Sequence, residues 1–330
     1  MTASHPPAPF APPAAAAALL RRAADPDPAV RRIALFELAD LEDAACVPVF
    51  VAALAGDPDA DVRQEAAEAL AAWERDDAVE ALCAALLDDD DGVLCAAAHS
   101  LSELKSPSSG PILRRYAARP EPFVARAALR GLRELRFPDA YGPADAALDA
   151  PDAGVRAEAI ALLGWLKDAR ALPRLAALTV RDPDPDVRRT AVGALGFASP
   201  DASGGTVVEA LLGALADDAW QVREAAATTL GKLRAGAATP ALVRALDDPY
   251  WQVRLRATRA LGQLGDASTA RAVAALLAHA ISNLRREAAL ALGELRDPAS
   301  LAALRDALDD ADPEVRKAVR IAIRQLGGAA

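Results

Sequence analysis

The residues in this chain that could do metal or nucleophile chemistry are few. None of the three histidines, His5, His99 and His279, precedes a glutamate. No H-E-x-x-H, P-loop, G-x-G-x-x-G or G-x-S-x-G run is present. Cys46, Cys83 and Cys95 form no C-x-x-C pair and leave an odd thiol over, which argues against both a disulfide framework and a zinc site. Asp88 to Asp91 is a run of four carboxylates that could attract a divalent cation. A calcium loop would need alternating ligands and a glycine turn, whereas a charged turn capping a helix needs only what is here. No catalytic residue, metal ligand or cofactor site is expected.

Binding chemistry is better represented. Arg126, Arg130 and Arg133 are spaced i, i+4 and i+7, so a helix would hold them on one face. Three cations so placed repel one another by a few tenths of a kcal/mol per pair. Either they meet carboxylates or phosphates on a partner, or they form a solvated face. Trp220 and Trp251, with Tyr250 beside the second, make an aromatic pair of the kind that anchors interfaces or packs an edge. Arg189 and Arg259 belong with the first group by a positional argument that depends on the repeat.

Aligned on the dipeptide Val-Arg, the phrase V-R-x-x-A-x-x-A-L-G-x-L recurs along the chain. Its clear copies are anchored at Val187, Val222, Val253 and Leu284, with looser ones at Val30, Val62, Val93, Val124, Val155 and Val315. Successive anchors are 32, 31, 31, 31, 32, 35, 31, 31 and 31 residues apart. Counting the anchor as 0, positions 0, +4, +7, +8 and +11 fall within about 100° of a helical wheel, so one face is buried. Asp312-Pro313-Glu314 before Val315 puts Asp at the N-cap and Pro at N1. An apolar segment such as 301–308 precedes it. Each copy is therefore two short antiparallel helices, A then B, and stability requires neighbours to stack.

These residues resemble the HEAT-repeat superfamily, in particular its short phycobilisome-lyase-type version. The mark is an Asp in the A–B turn six residues before an Arg, seen as Asp25/Arg31, Asp57/Arg63, Asp182/Arg188, Asp217/Arg223, Asp248/Arg254 and Asp310/Arg316. The resemblance implies a right-handed α-solenoid of about ten helix pairs, and an Asp–Arg ladder between repeats. The copies at Val93, Val124, Val155 and Leu284 have lost one or both residues, and an interrupted ladder is expected there. HEAT-like iron hydroxylases carry His-Glu dyads that are missing here. HEAT-like DNA glycosylases use a basic groove for which no motif carries over.

The resemblance also implies that B helices line the binding side. Their outermost positions, +2, +6 and +9, carry nine basic residues, Arg189 and Arg259 among them, against two acidic ones. Flanking positions +3 and +10 add seven acids and two bases, so the strip is narrow. His99 and Cys95 belong to the same row as accessible but unremarkable groups, and Trp73 is expected in the core with Trp165 exposed.

Residues 1–13 read as a disordered Pro/Ala-rich tail and 14–330 as one solenoid domain. Segments 106–111 and 137–143 read as interruptions of the A helices. The net charge of −10 disfavours bulk nucleic acid and anionic membrane, and no stretch is apolar enough to span a bilayer. The expected function is a cytoplasmic, non-enzymatic scaffold or adaptor. It would hold a protein partner, with an acidic surface or peptide, through Arg126, Arg130, Arg133, Arg189, Arg259, Trp220, Tyr250 and Trp251. The alternative is a phycobilisome-lyase-like maturation factor acting on a cofactor-bearing protein.

Overall fold

Aspartates start the helices as the sequence requires. In a computed structural model describing residues 14–198 and 205–327, Asp27, Asp59, Asp90, Asp184 and Asp312 each accept backbone N–H groups at the head of a B helix. Every A helix but the first, third and seventh follows a short 3-10 turn. Segments 107–109 and 138–140 are two of these turns, so the stretches expected to interrupt A helices instead lead into them. Gly110 is needed at one: a Cβ there would lie 2.3 Å from the Phe137 ring.

Among the described residues there are twenty α-helices and no strand. The A helices are α1 (Ala14–Arg22), α3 (Val47–Gly56), α5 (Asp76–Ala85), α7 (Gly110–Tyr116), α9 (Tyr141–Ala147), α11 (Leu172–Arg181), α13 (Thr206–Ala214), α15 (Thr239–Arg244), α17 (Ala270–Ala274) and α19 (Leu301–Asp306). The B helices are α2 (Pro28–Ala39), α4 (Ala60–Leu70), α6 (Asp91–Ser102), α8 (Pro122–Glu134), α10 (Ala153–Leu166), α12 (Pro185–Ala194), α14 (Trp220–Lys232), α16 (Trp251–Leu264), α18 (Ser282–Leu295) and α20 (Pro313–Gln325). The segment expected to be a disordered tail lies outside the described residues.

Packing resolves two compact units, one ending at Leu162 and one starting at Leu163, a division inside α10. In the first, α2, α4, α6 and α8 pack in succession, as do α3, α5 and α7. In the second, α12, α14, α16, α18 and α20 form the corresponding row. Anchors from Val62 to Val315 are buried, as are the +4 and +8 residues. Position +5, which the wheel leaves out, is buried as well at Leu35, Ala67, Leu129, Ile160, Val192, Ala227, Thr258 and Ala289. A B helix is covered by its own A helix and by a B helix on each side, so its buried arc is wider than one face. Position +11, at the helix end, is only half-buried in several copies, Trp73 included, rather than core.

The phrase Leu-Gly-x-Leu has a steric cause in the second unit. A Cβ on Gly231, Gly262 or Gly293 would approach the Cα of Ala260, Ala291 or Ala322 to 2.8, 3.0 and 3.0 Å. Neighbouring B helices thus touch backbone to backbone, and only Gly against Ala allows it.

Candidate functional site

The Asp–Arg ladder is the most regular polar feature of the molecule. Five bidentate rungs are described: Arg31–Asp57, Arg63–Asp88, Arg188–Asp217, Arg223–Asp248 and Arg285–Asp310, with closest N···O distances of 2.7–2.8 Å. Each runs from one copy to the next. The Asp six residues before the Arg contributes its backbone carbonyl instead, as Asp57 does to Arg63 and Asp217 to Arg223. Burial pushes the Asp57, Asp217 and Asp248 carboxyls up, and the guanidinium and backbone hydrogen bonds more than reverse it. For Asp88 and Asp310 the guanidinium bond is itself the largest influence, and all five lie below the ordinary carboxylate range.

Because rungs join copies, a copy with one partner missing still makes the other rung. Asp88 pairs although Leu94 stands where its own copy would carry Arg, and Arg285 pairs although His279 stands where its copy would carry Asp. The ladder is therefore not broken throughout the Val93 and Leu284 copies. Between the fourth and fifth copies both rung positions are alanine, Ala125 and Ala150. A cavity of about 250 Å³ opens there, walled mostly by alanines and by Pro120, Pro122, Pro143 and Pro151, with Arg119 and Asp152 also lining it. Asp88 and Asp90 of the acidic run are used up on Arg63 and on the head of α6, and no metal-binding cluster is found among the described residues.

In the first unit, α8 carries Arg126, Arg130 and Arg133. Arg126 lies 6.0 Å over the Phe123 ring and is half-buried. Arg130 and Arg133 share Glu158 of α10 at 2.7 and 3.0 Å, and Arg133 also meets Glu134. The arrangement is layered: the Arg130 side chain is 56% exposed and Glu158 only 15%.

The second unit repeats the motif. Arg259 of α16 bonds Glu287 of α18 at 3.0 Å, with exposures of 48% and 8%. Arg256 pairs with Glu224, and Arg189 with Asp186 on its own helix. The glutamates beneath were missed as partners, although Arg130/Glu158 and Arg259/Glu287 share a 28-residue separation that the sequence displays.

Trp220 does not pair with Trp251. It stacks on Tyr250, centroids 5.5 Å apart and planes 15° from parallel, while Arg223 lies 5.6 Å over Tyr250. The stack covers the Arg223–Asp248 rung. Tyr250 remains 45% exposed, and Trp251 is half-buried. Cys95 and His99 are exposed, as are Ile33, Phe36 and Trp165. Cys46 and Cys83 are buried, and burial pushes the Cys83 thiol up to about 12.

Among the described residues, no helix is long and apolar enough to cross a membrane. No curated protein sequence matches this chain. Solved structures match its fold. An engineered protein aligns over 96% of this chain and 99% of its own at 21% identity and TM-score 0.54. Escherichia coli YibA aligns over 80% and 96% at 19% identity and TM-score 0.59. Kap95p, in a complex with RanGDP, aligns at 14% identity and TM-score 0.69. The alignment takes in 94% of this chain, which spans about half the length of Kap95p. The profile for HEAT repeats matches five overlapping stretches, 15–94, 47–133, 117–196, 174–257 and 239–324. With its paired helices and its ladder, the chain belongs to the HEAT-repeat family, an all-α solenoid fold.

Proposed function

We propose that the protein is a non-enzymatic scaffold that binds an acidic protein surface or peptide on its B helices. The observation that carries this is the layering of charge. Arg130 and Arg259 stand half-exposed over Glu158 and Glu287, which are nearly buried. Each glutamate fixes its arginine and leaves guanidinium donors facing solvent, so little side-chain entropy remains to be lost on binding a carboxylate. Arg126 and Arg133 add cationic surface to the first unit and Arg189 to the second, where Trp220, Tyr250 and Trp251 offer aromatic area at the head of α14 and α16. That Kap95p structures include complexes with RanGDP and with Nup1 supports a partner-binding use of such surfaces.

The test is an affinity capture from the native source, comparing the wild type with an Arg126→Glu/Arg130→Glu/Arg133→Glu variant and an Arg259→Glu variant. A protein partner held by the wild type, released by salt and lost from either variant fits the reading. Undiminished capture by both variants sinks the arginine surface and leaves the Trp220–Tyr250 stack to be tested next. A role as a lyase-like maturation factor is the second reading, supported by the short repeat period. A pigment that copurifies with the protein would favour it.

A further inference from the structure

Among the described residues, one arginine of the ladder, Arg254, is followed by a further copy that offers it no carboxylate. Seven arginines at the position after the anchor donate Nη1 to the carbonyl six residues back: Arg31, Arg63, Arg156, Arg188, Arg223, Arg285 and Arg316. Arg254 is the eighth arginine at this position, and its Nε is buried with no hydrogen-bond partner among the described residues. The rungs on either side, Arg223–Asp248 and Arg285–Asp310, both reach 25 residues ahead. Twenty-five residues ahead of Arg254 stands His279 instead of an aspartate.

His279 does half of the missing carboxylate's work. Its Nδ1 accepts the Ile281 N–H at 2.9 Å, as Asp248 accepts that of Tyr250 at 2.9 Å. With that acceptor used, the neutral ring has only an N–H left, and an N–H offers a guanidinium nothing. Burial, helped by the charges of Arg254 and Arg285, holds the ring below the ordinary histidine range. A buried guanidinium nitrogen without an acceptor costs more than a solvated one.

We infer that the Arg254–His279 gap between the eighth and ninth copies is an oxyanion site, in which one carboxylate or phosphate group completes the rung from outside the chain. The other described rungs show the chemistry such a group would reproduce: two oxygens against Nε and Nη2 of one arginine. The site lies on the A–B turn edge rather than on the B-helix surface, and it stands whether or not that surface binds a partner.

Nitrogen-15 spectra of the full chain resolve arginine Nε–Hε groups, and an Arg254→Lys variant identifies the Arg254 signal by its loss. Inorganic phosphate and acetate are titrated separately. The expected result is a saturable shift of the Arg254 signal with at least one anion, small or no change at Arg223 and Arg285, and loss of the response in His279→Asp. That variant supplies the rung carboxylate within the chain, as five existing rungs do, and so preserves the fold. The stronger of the two anions names the source chemistry. No saturable shift with either anion, an equal shift at Arg223 and Arg285, or an unchanged response in His279→Asp overturns the inference.

Discussion

Arg223 and Asp248 clasp each other at two points, Nε to Oδ2 at 2.7 Å and Nη2 to Oδ1 at 3.0 Å, across the boundary between consecutive copies. The remaining guanidinium nitrogen holds the Asp217 carbonyl, and Asp248 also takes the Tyr250 N–H. One arginine therefore fixes the A–B turns of two copies, and wherever a rung is present consecutive copies are joined through their polar edge as well as their apolar core. Such turns would otherwise bury backbone carbonyls and carboxylates without partners.

The rung between Arg188 and Asp217 tests the energetic side of this. Its side chains are 14% and 10% exposed, so Asp217→Ala strands a largely buried cation. The expected loss is about 2–3 kcal/mol, below the ~3–5 kcal/mol of a fully buried pair because water still reaches the edge. The Arg188→Leu/Asp217→Leu double variant should lose clearly less than the two single variants summed, in urea unfolding. Strict additivity would mean that the pair is not coupled.

The absent rung at Ala125 and Ala150 allows the reverse experiment. The cavity between them has room for a guanidinium side chain, and its walls are mostly the alanines and prolines of two adjoining turns, with Arg119, Asp152 and Val155. Ala125→Arg alone should destabilise, since it brings a cation in beside Arg119 and without a rung carboxylate, Asp152 of the same wall being engaged by the Val155 N–H. Adding Ala150→Asp should restore stability at least to the wild-type level, read as a thermal midpoint. If the pair is no better than Ala125→Arg alone, the cavity is not a vacated rung.

How far these features were legible depends on whether they lie within a copy. The anchors, caps and helix pairs could be read because each is set by local spacing and hydrophobic period. The rungs could not be read correctly: Asp217 and Arg223, six residues apart, look like a pair, whereas the carboxylate that Arg223 holds is Asp248. Stacking geometry decides that, and it exists only after neighbours have packed. The arginines looked free for the same reason, with Glu158 in the next copy underneath Arg130 and Arg133. Trp220 faced Tyr250 rather than Trp251 because Tyr250 is the extended N-cap while Trp251 opens the helix, so consecutive residues point differently.

Glycines separate the two kinds of constraint. Gly262→Ala drives a Cβ to 3.0 Å from the Ala291 Cα, backbone that cannot step aside without moving α18. A loss of about 1–3 kcal/mol is expected, the usual range for overpacking. Gly193 is exposed near the end of α12, and a Cβ there meets nothing within 4 Å. Gly193→Ala should gain up to about 1 kcal/mol from helix propensity. A gain in stability at both positions, or two neutral results, would remove close backbone contact as the reason for the repeated glycine.

Acid should weaken the fold in two stages. His279 is held below its ordinary 6.5 by burial and by the charges of Arg254 and Arg285. Below pH 6.5 the unfolded chain thus takes up a proton that the native chain still refuses, and stability declines as pH falls. The ladder carboxylates act lower. Their native values lie beneath the ordinary 3.8, so the stability they contribute is present above that value and is lost as pH falls through the depressed ones. Urea midpoints between pH 7.5 and 3 should show a shallow limb beginning near the histidine range and a steep one beginning near the carboxylate range. His279→Asp should erase the shallow limb and leave the steep one, because the added aspartate joins the ladder. A shallow limb that survives the substitution would have to come from another group, and the ninth-copy gap would then carry no proton-linked strain.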